Sequence, residues 1–347
     1  MNGSGLGPVV VDIAGTRLTA PERERLRHPR VGMVILFAHN FESAEQLAAL
    51  TAEIHALRAP ALLIAIDHEG GRVQRLRAPP FTRLPAMAEL GALSERDPPV
   101  ASRTALATGY VLGSELRAFG IDLSFAPVLD LAWGRSGVIG DRALARDPRS
   151  VAMLAAQLCH GMRLAGMANC GKHFPGHGWA EADSHTAVPV DDRALADILA
   201  DDAAPYGWLG LALASVMPAH VVYPQVDDRP AGFSRRWIEI LRTELGFSGA
   251  VFSDDLSMAG ARACGSVVES GQAAIDAGCD FLIVCNAGSD ADALLAELDW
   301  RPTAVFDERL QRLRPCGPAL PIETLQASAP YRSARADLAA LAAAVGR

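Results

Sequence analysis

Eight short apolar runs with little polar alternation, separated by amphipathic helical patterns, predict an α/β chain built as a single TIM-like (β/α)8 barrel. Strands covered on both faces read as near-continuous Val, Ile, Leu and Phe, and parallel strands need helical crossovers between them. A doubly wound open sheet is the alternative use of the same units. No long linker, low-complexity block or longer internal repeat divides the chain. Residues 1–347 are therefore expected to form one catalytic barrel domain with a helical tail from about 330.

The expected strands are Pro8–Ile13, Gly32–Phe37, Ala61–Ile66, Asp122–Ala126, Met167–Gly171, Ala212–Met217, Ala250–Ser253 and Phe281–Cys285. Helix starts are signalled between them. Thr19-Ala-Pro-Glu22 and Ser43-Ala-Glu-Gln46 have the spacing of capping boxes. Asp147-Pro148 places a cap before a proline at the first helical position. After Ser234, residues Trp237, Ile240 and Leu241 fall on one helical face. The alanine-rich stretch beyond Pro330 reads as a helix packed on the outside of the domain.

Bulk composition narrows the functional class. The chain is 50% hydrophobic with net charge −8 and has no basic stripe, which argues against a nucleic-acid partner. No apolar run approaches the ~20 residues that a membrane span requires. The N-terminus lacks the basic n-region of a signal peptide. Six scattered cysteines form no CxxC pair and read as reduced core residues. A cytoplasmic location, no membrane association and a monomeric state are the expectations.

A barrel places its chemistry just after the C-terminal ends of its strands. Unusual polar residues collect there: Asp67-His68-Glu69-Gly70-Gly71, Lys172-His173, His220 and Asp254-Asp255. The densest stretch is GKHFPGHGWAEADSH, Gly171 to His185. Three chemistries suit it. Gly166–Lys172 matches the first seven positions of a phosphate loop, but His173 replaces the Ser or Thr, and Pro175-Gly176 forbid the helix that would hold phosphate. A metal cage from His173, His177, Asp183 and His185 has the right residue types, although Pro175-Gly176 rule out one helical face. Acid–base work is the third reading. Asp183, two residues before His185, can orient the ring and favour its protonated form. Such a histidine can donate a proton near neutral pH and later take one back. A carboxylate at a strand mouth, as in Asp254-Asp255, can serve as a nucleophile.

Taken together, four segments carry a resemblance. They are Ile66-Asp67-His68-Glu69-Gly70-Gly71-Arg72-Val73-Gln74-Arg75, Val138-Ile139-Gly140-Asp141-Arg142, Lys172-His173-Phe174-Pro175-Gly176-His177-Gly178 with Asp183-Ser184-His185, and Phe252-Ser253-Asp254-Asp255-Leu256-Ser257-Met258. In this order and spacing the chain resembles the bacterial β-N-acetylhexosaminidases of glycoside hydrolase family 3, of the peptidoglycan-recycling type. One departure is His68, where the family usually has glutamine; it is expected to tune a neighbouring sugar-binding residue at most.

The resemblance implies a TIM-like barrel and a cofactor-free, metal-free retaining exo-glycosidase. Its substrate would be a small carbohydrate, a cell-wall fragment carrying terminal N-acetylglucosamine on 1,6-anhydro-N-acetylmuramic acid. It also implies roles. Asp254 is the nucleophile, His185 the acid/base and Asp183 its partner; Asp67, Arg75, Arg142, Lys172 and His173 bind the terminal sugar. The glycines and prolines of Phe174–Gly178 suggest a loop that carries His185 in and out. A β-glucosidase of the same superfamily, a metal-dependent barrel hydrolase, a sugar-binding protein without catalysis, and phosphorolysis in place of hydrolysis are the competing readings.

Overall fold

Every expected apolar run contains or overlaps a strand. In the computed structural model, which describes residues 5–181, 188–261 and 265–346, the strands are β1 (Val9–Val11), β2 (Val31–Leu36), β3 (Leu63–Ile66), β4 (Leu123–Ser124), β5 (Cys170–Phe174), β6 (Ser215–Pro218), β7 (Ala250–Val251) and β8 (Leu282–Val284). All eight pair in parallel, and at least one helix lies between each consecutive two. They form two sheets, one of order β8-β1-β2-β3-β4 and one of order β7-β6-β5. Isolated parallel bridges lie at the two seams, Leu123 with Ala168 and Phe252 with Phe281. The α/β class is therefore observed, with the first and last strands as neighbours.

Burial explains why the strands read as they do. All six residues of β2 and all four of β3 are buried. A fully buried Val, Leu or Ile contributes roughly 1.5–3 kcal/mol through the hydrophobic effect, which leaves no room for polar alternation. One hydrophobic cluster extends from Leu6 to Leu341. The helix after Ser234 begins at Arg235, with Ser234 Oγ accepting from the Trp237 N–H, and Trp237, Ile240 and Leu241 are all buried as their spacing requires.

Cap chemistry follows the sequence at two of three places, Thr19 and Asp147, and Ser234 adds a cap that was not predicted. Thr19 and Glu22 form a reciprocal capping box. Asp147 and Ser234 each cap the helix that follows. At Ser43 only half the box forms. Ser43 Oγ accepts from the Gln46 N–H, but Gln46 Oε1 accepts from the Glu42 N–H rather than from that of Ser43, while its NH2 donates to the Thr16 and Asn40 carbonyls, which the spacing rule does not see. The tail helix spans Ala329–Ala344 and is tied to the helix Pro98–Ala118 by the Tyr331 hydroxyl on Glu115 and the Arg103–Asp337 ion pair.

Two antiparallel hairpins, His68–Gly70 with Val73–Gln74 and Val222–Tyr223 with Asp227–Pro230, were not expected from the apolar pattern. Their residues are too short and too polar to register as strands. The cysteines also need one correction: Cys159, Cys170, Cys279 and Cys285 are buried free thiols, but Cys316 is exposed, and Cys264 lies outside the described residues. No described helix is long and apolar enough to cross a membrane.

Candidate active site

Strand β5 starts and ends three residues later than its apolar run suggests. Lys172 and His173 stand inside it rather than after it. A lysine ordinarily closes an apolar run, because burying an unpaired ammonium is prohibitive. Here the charge is matched. Lys172 Nζ lies 2.7 Å from Asp67 Oδ1 and 2.7 Å from Glu69 Oε1. Placing Lys172 within a strand also disposes of the phosphate-loop match, since no helix follows it.

Asp67 leaves β3 at its C-terminal end, and Glu69 sits in the hairpin that follows. Glu69, only 3% exposed, accepts a two-pronged contact from Arg142, Nε to Oε2 at 2.9 Å and Nη2 to Oε1 at 2.8 Å. Arg75 Nη2 reaches to 3.5 Å from Asp67 Oδ2. Two carboxylates and three cations thus form one network from segments far apart in the chain. Burial would raise the Glu69 carboxyl, but the neighbouring Lys172 and Arg142 charges and hydrogen bonds hold it far below the usual range. The same carboxylates outweigh burial at Lys172 and raise its pKa, so it stays charged.

Asp254 emerges after β7 into the same space. Its Oδ1 accepts from the Asp255 N–H at 2.8 Å. Burial would raise its pKa, but His220, His173, that N–H and the Lys172 charge bring it below the usual carboxylate value, so Asp254 is an anion at neutral pH. Asp255 is driven the other way, to about 6, by burial above all and by the Asp254 charge, even though it accepts bonds from Ser257 and from the Cys285 N–H. The surroundings thus shift two adjacent carboxyls in opposite directions.

Asp67, Arg75, Arg142, Lys172, His173 and Asp254 all border one cavity of about 560 Å³. That size suits a small ligand rather than a polymer segment. Asp183 and His185 lie outside the described residues. The segment leading toward them differs from expectation. Residues 174–178 are buried and bonded rather than loose. The Tyr223 hydroxyl donates to the Gly176 carbonyl at 2.8 Å. A Cβ on Gly176 would lie 2.5 Å from the Asp202 side chain, and one on Gly178 would lie 2.1 Å from the Leu131 carbonyl oxygen. These glycines permit close packing. Beyond them, Trp179 stacks edge-on against Trp133, and Arg193 lies over both rings while pairing with Asp191 and Asp202.

Four residues at or beside the cavity have no role in the sequence reading, although three of them, Glu69, His220 and Asp255, stand among the polar residues it places at strand ends. Glu69 sits within the Asp67–Gly71 motif and could have been found by asking what neutralises a strand-borne lysine. Asp255 was seen only as a neighbour of Asp254. His220 is fully buried, stacked on Phe233, with Nε2 3.1 Å from the Asp255 carbonyl. Asp130 gave no signal at all; it lies after β4 and bonds to His173 and His177. His68 is 1% exposed and does not border the cavity; burial, reinforced by Arg75 and Arg77, pushes its pKa to about 3, so it is neutral. Among the described residues, no group of His, Cys, Asp and Glu is arranged to hold a metal ion.

Comparison with known proteins agrees with this geometry. The family model for the glycosyl hydrolase family 3 N-terminal domain matches residues 7–314. A β-hexosaminidase from Bordetella avium is 60% identical over 331 residues, 95% of this chain and 94% of the relative. The crystal structure of NagZ from Neisseria gonorrhoeae in complex with N-trifluoroacetyl-D-glucosamine superposes with a TM-score of 0.91 at 47% identity, covering 97% of this chain and 98% of that one. A β-N-acetylhexosaminidase structure from Beutenbergia cavernae gives a TM-score of 0.75 at 30% identity over 98% and 96% of the two chains. The charged cavity at the strand ends, the anionic aspartate beside it and these likenesses have one common reading: the chain belongs to glycosyl hydrolase family 3 and is a glycoside hydrolase.

Proposed function

We infer that this enzyme is an exo-acting, retaining β-N-acetylglucosaminidase. The observation that carries the reading is the pairing, in one cavity, of an anionic Asp254 with the Asp67–Lys172–Glu69–Arg142 network. Fixed charges of both signs suit the hydroxyls of a terminal sugar. Asp67 accepts from them, while Arg75, Arg142, Lys172 and His173 complete the binding end. A pocket closed by such contacts favours release of one terminal residue at a time. The relative whose structure holds N-trifluoroacetyl-D-glucosamine supports an N-acylated aminosugar in this position.

In the first step Asp254 attacks the anomeric carbon as His185, oriented by Asp183, gives its proton to the departing glycosidic oxygen. A covalent glycosyl–enzyme forms. Neutral His185 then takes a proton from water, the resulting hydroxide adds to the same carbon, and the bond to Asp254 breaks. General acid–base assistance of this kind is worth roughly 10²–10⁴-fold. Retaining glycosidases ordinarily use two carboxyl groups about 5 Å apart; a histidine in place of one is what the resemblance implies here.

The remaining parts of the reading rest on the resemblance. The substrate is a cell-wall fragment bearing 1,6-anhydro-N-acetylmuramic acid, processed during peptidoglycan recycling in the cytoplasm. The chain acts as a monomer and as one domain, its two parallel sheets forming a single (β/α)8 barrel; the seam bridges and the adjacency of β1 and β8 support that closure. The decisive experiment uses a fluorosugar of the N-acetylglucosamine series that traps the intermediate, with mass spectrometry of the labelled peptide. Label on Asp254 is expected. Label elsewhere, or faster turnover of a chromogenic glucoside than of the matched N-acetylglucosaminide, refutes the assignment.

A further inference from the structure

Asp130 does not border the cavity, yet it is almost completely buried beside it. Its Oδ1 accepts from two backbone donors, His173 N–H at 3.2 Å and His177 N–H at 2.7 Å. Its Oδ2 lies 2.7 Å from His173 Nδ1. Burial alone would raise the Asp130 carboxyl, but His173 and the bonds it accepts keep it below the usual range, so it is an anion. An anionic carboxylate can only accept. The proton of the shared bond therefore belongs to His173 Nδ1, and Nε2 is the one ring nitrogen left to meet a ligand in the cavity.

We propose that Asp130 is a positioning residue that fixes the tautomer of the singly protonated His173 ring, with the proton on Nδ1, so that in this form Nε2 faces the bound sugar as a hydrogen-bond acceptor. The inference rests on the glycosidase reading for its kinetic consequence, though not for its structural one. It makes a specific claim about Asp130→Asn. The two backbone N–H groups still require an oxygen, so the carboxamide oxygen must stay at the Oδ1 position. The amide NH2 then faces His173 Nδ1 and donates to it. The ring has to move its proton to Nε2, and the acceptor aimed at the sugar becomes a donor. Fold-holding bonds survive while the ligand-facing atom is inverted.

The test has two arms. In the spectroscopic arm, histidine is 15N-labelled and His173 is assigned by its loss in His173→Ala. Recorded at a pH where the ring carries one proton, the wild type is expected to show a protonated Nδ1 and a bare Nε2, and Asp130→Asn the reverse. A bare Nδ1 in the wild type overturns the proposal, and this reading needs no variant other than the assignment control. In the kinetic arm, on a chromogenic N-acetylglucosaminide, Asp130→Asn is expected to lower kcat/KM roughly 10- to 100-fold, the scale of one reversed hydrogen bond in a desolvated site. In the His173→Ala background the same substitution should change kcat/KM less than ~2-fold, because coupled sites are not additive. Equal losses in both backgrounds would mean that Asp130 only anchors backbone, and would overturn the proposal. A wild type inactive on every N-acetylglucosaminide would sink the functional reading instead, with the nitrogen spectra still deciding this one.

Discussion

Replacing Glu69 by glutamine tests whether the buried network is electrostatic in the way described. Glutamine keeps the shape and one acceptor oxygen but removes the charge that faces both Lys172 and Arg142. Losing hydrogen-bond strength alone would cost ~1–2 kcal/mol. Stripping the counter-charge from two buried cations belongs to a costlier class, about 3–5 kcal/mol. Asp67 offsets part of this by holding Lys172, so the lower end, about 3 kcal/mol, is the expected loss at pH 7. Denaturant unfolding of both proteins across pH supplies a second signature. The Glu69 carboxyl is depressed in the folded state, so its contribution is fully present above the unfolded pKa of about 4.3 and is lost as pH falls through the folded value. The gap between wild type and Glu69→Gln should therefore be widest at neutral pH and narrow on acidification below ~4. A loss under ~1 kcal/mol, or a gap independent of pH, would refute the reasoning.

Other consequences are quickly stated. Asp254→Ala is expected to abolish turnover while leaving the unfolding curve close to that of wild type; near-normal activity would end the nucleophile assignment, and His185→Ala should be severely slowed. Asp255, with a folded pKa of about 6 above its unfolded value, contributes stability that is present below ~4 and lost as pH rises through 6, so Asp255→Asn should flatten stability against pH across that window by about one proton. Arg193→Ala removes two ion pairs and two ring contacts at once and should cost roughly 2–4 kcal/mol, measured by the same unfolding curves. Chelator should leave the rate unchanged, and added phosphate should not raise it; either effect would favour a rival chemistry.

The sequence reveals most where a residue's own chemistry dictates its place. The run Gly32–Phe37 reads as an inside strand, found at Val31–Leu36, and Thr19 with Glu22 reads as a capping box and forms one. Reading fails where a partner distant in the chain changes the rule. Lys172 ends an apolar run by local logic, but Asp67 and Glu69, about a hundred residues upstream, let it continue the strand. Glycines at 176 and 178 suggest freedom until Asp202 and Leu131 are seen pressed against them. Asp130 was invisible for the same reason: its partners come from another strand, and nothing local distinguishes it from a turn residue. The aspartate at 254 was legible because two acids at the mouth of a buried strand need a use.

The pairing of Val9–Val11 with Leu282–Val284 also governs how the enzyme is made. The first strand leaves the ribosome about 270 residues before one of its two partners exists, a wait of roughly 10–60 s at ordinary elongation rates. During that interval one edge of the nascent sheet stands open to neighbours and chaperones alike. Closure of that edge waits for Leu282–Val284, and truncated chains ending before 282 should be captured in inclusion bodies rather than recovered as smaller enzymes.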